Sequence, residues 1–363
     1  MPQKYYRLTN ILKSNAQYNF LIGERSNGKS YAVKEKALKD AIKKDKIFVL
    51  LRRWQLETKT AMIEQYFDDM TPVIEKITDG EYNTIYCYRG EIRLALTDCG
   101  TVMAKGNLIG YVAYLSGASH FKSTLQNPKI FNVIYEEVIT NEGYLDDEPN
   151  RLLNFISTVL RRRNGQVFLI GNTLSRLCPY YRAWGLIKTK TQTQGSIEVY
   201  EKVTDQKDDN GDIIVIKIAV EYCENSGNNT KMIFGNKAIT HGAFETRPMA
   251  KLPEEFRKNY LSVYKVAFHF EDFKYIAEIR EIETLNKNRR QIVFIYPFTG
   301  EREPVRVVTD KAEEILSSKF ASSRLDKLTK GDIMLLYLLD MKAVAYSDDL
   351  TGTEFQTIIK KVR

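Results

Sequence analysis

No two of the four cysteines, Cys87, Cys99, Cys178 and Cys223, stand at C-x-x-C spacing. A zinc site would need ligands that these cysteines do not offer, and reduced thiols of a cytosolic protein are the expectation. No apolar run approaches the ~20 residues that cross a bilayer. The nearest, Ile333 to Leu339, is bracketed by Asp332 and Asp340. The segment Met1 to Arg7 lacks the apolar stretch of a secretory signal, and there is no internal repeat or low-complexity tract. What remains is 363 residues, 43% hydrophobic and 28% charged, an ordinary composition for a globular chain and a length sufficient for two domains. A formal charge of +8 suits a polyanionic partner without establishing one.

Against these absences one segment stands out. Gly23-Glu24-Arg25-Ser26-Asn27-Gly28-Lys29-Ser30 matches G-x-x-x-x-G-K-[ST], the phosphate-binding loop of nucleoside triphosphatases. The glycines let the loop wrap so that backbone N–H groups point at the phosphates. Lys29 would reach the β/γ-phosphates and the Ser30 hydroxyl would hold Mg²⁺. The context fits: Tyr18 to Ile22 reads as a short buried strand, and Tyr31 to Lys44, free of Gly and Pro, as a helix whose N-terminus adds its positive dipole end.

Apolar runs at 18–22, 47–51, 111–115, 131–135 and 167–170 read as strands, and helical patterns separate some of them. This alternation predicts a mostly parallel sheet with helices on its faces. Residues 84–104 read as a hairpin insertion. The runs 197–203 and 213–222 are two further strands around the turn signal Asp208 to Gly211. The expected organisation is a first domain over 1–222, a connector over 223–260, and a smaller α+β domain over 261–363.

The strand 131–135 ends in Glu136-Glu137. An acidic residue at the end of an apolar strand is the second half of a phosphate-loop site. Glu136 would hold Mg²⁺, directly or through water, and Glu137 would orient and deprotonate an attacking water. A second carboxylate points to ATP hydrolysis rather than transfer to a substrate. The guanine-selective N-K-x-D is absent. Asn172, at the end of strand 167–170, either reports the γ-phosphate or caps a turn. The amphipathic helix 151–160 runs into Arg161-Arg162-Arg163, which either complements the helix dipole or offers an arginine finger to a neighbouring subunit.

The order of these features resembles the DNA-packaging, or encapsidation, ATPases of small Picovirinae-type tailed phages, relatives of the large terminases. The resemblance rests on Asn19-Phe20 before the loop, Arg52-Arg53 after the second strand, Leu115-Ser116 with Lys122-Ser123 after the third, Ile134 to Glu137, Thr158 to Arg161, and Gly171-Asn172. It implies a phosphate-loop ATPase domain of the additional-strand, catalytic-glutamate class, with ATP and Mg²⁺. By position, Arg25, Lys29 and Ser30 match the nucleotide loop, and Glu136 and Glu137 the metal and catalytic acids. Arg161 and Lys122 match residues acting in trans, and Asn172 the residue coupling hydrolysis to motion. One departure is that the family usually carries Asp where this chain has Glu136.

The resemblance further implies a ring, pentameric where known, docked on the portal of an empty capsid in the infected host's cytoplasm and driving double-stranded DNA inward. It also implies a C-terminal domain that is RNase H-like and nuclease-inactive. Glu271, Asp272, Asp310 and Asp332 are carboxylates without a nuclease spacing. DNA contact would be with phosphates; Lys59 and Lys129 stand in suitable loops, as contacts or as solvated surface lysines. Another nucleic-acid ATPase, such as a helicase, and a non-enzymatic capsid-associated DNA-binding protein are the alternatives.

Overall fold

The computed structural model describes residues 5–121, 125–140, 143–161, 163–173, 176–207, 211–224, 248–271, 273–283, 288–299 and 306–362. The chain divides into two compact units, Met1–Glu245 and Thr246–Arg363.

The first unit is built on a nine-stranded sheet. Its strands are β1 (Tyr18–Gly23), β2 (Ile47–Arg52), β3 (Thr84–Tyr88), β4 (Glu91–Asp98), β5 (Thr101–Tyr114), β6 (Ile130–Tyr135), β7 (Gln166–Asn172), β8 (Ile197–Lys207) and β9 (Ile213–Tyr222), in the order β3-β4-β5-β2-β6-β7-β1-β9-β8. The six strands from β5 to β9 in that order are parallel, and β3-β4 and β8 add antiparallel edges. Strands β1 and β2 are apolar at almost every position because helices cover both faces of the sheet. Phe20, Val49, Leu51, Val133, Tyr135 and Leu169 face one core, and Leu21, Phe48, Leu50, Ile134 and Phe168 the other.

The second of these cores lies under α1 (Thr9–Leu12), α2 (Lys29–Lys44), α3 (Thr60–Phe67) and α4 (Thr71–Ile77), which contribute Ile11, Val33, Ala37, Ile63, Phe67 and Ile74. The first lies under α5 (Glu148–Leu160) and α6 (Pro179–Ala183) with Trp184, through Leu152, Phe155, Ile156, Tyr180 and Tyr181. The four-residue spacing of Val33, Ala37 and Ala41 is the apolar stripe that lays α2 on the sheet.

Two elements differ from the sequence reading. The strand expected over 111–115 begins at Thr101. Its outer half is mostly exposed and carries Lys105 and Gly106, so it lacks the apolar run that marks a buried strand. The expected hairpin at 84–104 is a continuous antiparallel extension of the main sheet. The turn at 208–210, most of the connector and Lys122 lie outside the described residues.

The second unit holds a six-stranded sheet. Strands β10 (Leu261–Phe270), β11 (Phe273–Glu283) and β12 (Arg289–Pro297) form an antiparallel meander. The strands β13 (Arg306–Thr309) and β14 (Ala321–Ser322) extend it beside β10, and β15 (Val344–Tyr346) beside β12, all in parallel pairings. Among the described residues it also carries the helices α7 (Glu254–Lys258), α8 (Ala312–Ser317), α9 (Lys330–Asp340) and α10 (Asp349–Val362). Phe355 of α10 packs edge-on against Phe268, ring centroids 4.9 Å apart. Residues assigned to the connector from sequence join this unit: Lys251 bridges to Tyr346, and Leu252 packs with Phe294 and Ala345.

Candidate nucleotide site

The strand order places β7 between β1 and β6, so the loop after β1 and the two acids after β6 flank the end of β7 at one edge of the parallel strands. Such carboxyl-end crevices are where open α/β sheets bind ligands. The loop 24–28 turns through Ser26 (φ 59°) and Gly28 (φ 96°), left-handed conformations that glycine adopts without strain. Residues N-terminal to the sheet brace it: the Tyr6 N–H donates to the Asn27 carbonyl at 2.9 Å, and the Tyr6 hydroxyl to Glu221 Oε2 at 2.6 Å.

Lys29 is 4% exposed. Its ammonium donates to the Glu24 carbonyl and, at 3.2 Å, to Asn27 Oδ1. Burial pulls its pKa below the ordinary lysine value, against the opposing pull of Cys223, Glu136 and Glu24. A cation held in a dry loop by neutral oxygens and a few nearby acids is poised to prefer the anionic oxygens of a triphosphate.

Ser30 Oγ donates to Glu136 Oε2 at 3.2 Å. A hydroxyl and a carboxylate oxygen this close form a hard-oxygen pair of the kind Mg²⁺ takes, with its other positions left to water and phosphate oxygens; the two residues fit the ion. The other carboxylate oxygen, Oε1, accepts from the Tyr66 hydroxyl. Burial first, and then Glu136 itself, push the Tyr66 phenol well above its ordinary pKa, so it remains a donor.

Glu137, next along, is exposed and takes a left-handed backbone, φ 58°. That turn directs its carbonyl to Arg53, whose Nη1 and Nη2 both donate to it at 3.0 Å. Arg53 is in turn paired with Glu148, through Nε–Oε2 at 2.9 Å and Nη2–Oε1 at 3.1 Å. Glu148 is fully buried and also accepts from the Tyr135 and Tyr180 hydroxyls at 2.7 and 2.8 Å and from the Leu145 N–H at 2.9 Å. Burial lowers the pKa of the Arg53 guanidinium, but the Glu148 carboxylate more than offsets this and holds it above the ordinary value. The acid that follows β6 thus hangs from a buried, fully bonded ion pair.

Asn172 ends β7 directly beside Gly23, and the next N–H, of Thr173, donates to the Gly23 carbonyl at 3.1 Å. Arg25 is exposed at the crest of the loop. Gly23, Asn27, Gly28, Lys29, Ser30, Glu136, Glu137 and Asn172 therefore gather at one site. Arg161 does not join them. It is the exposed cap of α5, and because α5 returns the chain to the start of β7, it stands at the opposite end of the strands. Lys129, immediately before β6, is also at that far end and is ion-paired with Asp45 at 2.5 Å. Lys59 precedes α3, after the near end of β2.

Sequence reasoning missed Glu148 and Tyr66. Glu148 precedes Pro149 at a helix start, where an acid reads as a dipole partner, and Tyr66 lies on a helix with no motif. The pairing of Arg52-Arg53 with the end of β2 was the available signal for Arg53.

A family model described as "Podovirus DNA encapsidation protein (Gp16)" matches residues 2–240. A DNA packaging protein of Bacillus phage B103 is 32% identical over 173 residues, 47% of this chain and 48% of that one. A DNA packaging protein of Bacillus phage phi29 is 27% identical over 190 residues, 50% of this chain and 51% of that one. The chain spans about half the length of the curated relatives it matches. Among solved structures, a chain of the bacteriophage phi29 viral genome packaging motor assembly is similar in fold, with a TM-score of 0.51 and 17% identity, over 99% of this chain and 100% of that one.

Proposed function

The chain belongs to the podovirus DNA encapsidation protein family, and from that premise we propose that it is an ATP-driven motor translocating double-stranded viral DNA into an empty capsid. The observation that carries the reading is the convergence of Lys29, Ser30, Glu136 and Glu137 across the end of β7, with Ser30 and Glu136 in direct contact at 3.2 Å. Ser30 and Glu136 would hold Mg²⁺, which when bound neutralises developing charge on the phosphates. Lys29 holds the β/γ-phosphates, and the loop N–H groups and the start of α2 orient them. Glu137 accepts the proton of the attacking water. Asn172, one strand over and beside Gly23, would sense the γ-phosphate.

The proposed working form is a ring, a pentamer docked on the capsid portal in the host cytoplasm. Arg161 cannot serve the site of its own chain from the far end of the sheet, which supports a role for it toward a neighbouring subunit; Lys122 is proposed to act in trans with it. Lys59 and Lys129 are proposed phosphate contacts for DNA, of an affinity that falls with salt. For the second unit we propose an RNase H-like fold without nuclease activity. The meander flanked by parallel strands supports the fold. The engagement of Asp332 with Arg306 (3.4 Å) and the Tyr264 hydroxyl (3.0 Å) supports a structural duty for that carboxylate.

The test is steady-state ATP hydrolysis with and without duplex DNA, beside Lys29→Ala. The variant is expected to bind ATP about 10–100-fold more weakly, the worth of hydrogen bonds to a charged group, and to abolish duplex-stimulated turnover. Turnover unaffected by the substitution would reject the site. Mixing Arg161→Ala subunits with wild type is expected to depress turnover more than in proportion to their fraction. A strictly proportional loss would reject action in trans.

A further inference from the structure

The metal-side acid of this site is a glutamate, and a glutamate has one more rotatable bond than an aspartate to fix before its oxygens can meet a metal. The structure supplies a restraint from outside the strand and loop. The Tyr66 hydroxyl donates to Glu136 Oε1, leaving Oε2 toward Ser30 Oγ at 3.2 Å. The tyrosine is itself held on three sides. The Lys34 ammonium lies 4.4 Å from its ring centroid and the Arg52 guanidinium 4.9 Å, positions that favour cation–π attraction. Phe67 packs edge-on at 5.1 Å. Lys34 also donates to the Tyr66 carbonyl at 2.6 Å and pairs with Asp69, which ties α3 to α2 one turn beyond Ser30.

We propose that Tyr66 is a positioning residue for magnesium: its hydroxyl fixes the rotamer of Glu136 so that Oε2 alone is presented beside Ser30. The proposal rests on the reading of this site as one for ATP and Mg²⁺. An outer partner of this kind acts through the carboxylate, and loss of such partners typically weakens metal affinity about 10–100-fold. The arrangement also makes the length of the acid matter. An aspartate at 136 is one methylene shorter, so its oxygens withdraw from the tyrosine.

The experiment titrates Mg²⁺ against binding of a fluorescent ATP analogue to the full chain, for wild type, Tyr66→Phe, Glu136→Asp and the double variant, with thermal unfolding recorded for each. Tyr66→Phe is expected to retain the metal-free nucleotide affinity and the unfolding midpoint, and to need about 10-fold more Mg²⁺. In the Glu136→Asp background the same substitution is expected to change the Mg²⁺ requirement little, because the contact it removes is already gone. An unchanged Mg²⁺ requirement in Tyr66→Phe overturns the proposal. So does an equal penalty in both backgrounds, or a loss confined to stability and metal-free binding. Failure of the wild type to bind the nucleotide at all would instead overturn the reading of the site.

Discussion

Glu137→Gln is expected to bind ATP as the wild type does and to hydrolyse it about 10²–10⁴-fold more slowly, the usual contribution of a positioned general base. The amide matches the carboxylate in size and removes its ability to take a proton. The backbone that aims this residue should survive, because Arg53 grips the carbonyl of residue 137 and not its side chain. The side chain is exposed, so the substitution leaves no buried group without a partner. Paired measurements of nucleotide affinity and steady-state turnover separate the outcomes. Retained turnover would remove Glu137 as the base, and lost affinity would assign it to nucleotide binding.

Glu148→Ala is expected to cost about 3–5 kcal/mol of stability in the first unit, the range for removing one partner of a buried ion pair. The magnitude follows from what is stranded. Arg53 is 3% exposed and would keep its charge without its carboxylate, and the Tyr135 and Tyr180 hydroxyls would lose an acceptor in the core. Urea unfolding followed through the first unit measures the loss. Arg53→Ala should be similarly destabilising and, at a temperature where it remains folded, should also lower hydrolysis, since it releases the turn that presents Glu137. A destabilised Arg53→Ala with wild-type turnover would confine the pair to a structural role.

The elements that were legible in the sequence are those encoded locally. A strand buried on both faces reads as an unbroken apolar run, as in β1, β2 and β6. The phosphate loop announces itself because its turn needs glycine and its chemistry needs Lys29 and Ser30 at fixed offsets. Helix α5 showed its apolar stripe. By contrast α3 and α4 went unread: they are short, and their buried positions are too few to set a period. The outer half of β5 was hidden by its exposure.

By itself, then, the sequence determined the glycine-rich loop between β1 and α2, the acids that follow β6, the alternation that makes a parallel sheet, and the presence of a second α+β region. Tertiary structure alone decided that β7 stands between β1 and β6, that Arg161 lies at the far end from its own loop, and that Tyr66 and the Arg53–Glu148 pair hold the two acids. Those last contacts join residues 70 and 95 positions apart. No local propensity or hydrophobic period spans such distances. They come into being only when the order of the strands brings the ends of β2 and β6, and the helices that follow them, to the same edge of the sheet.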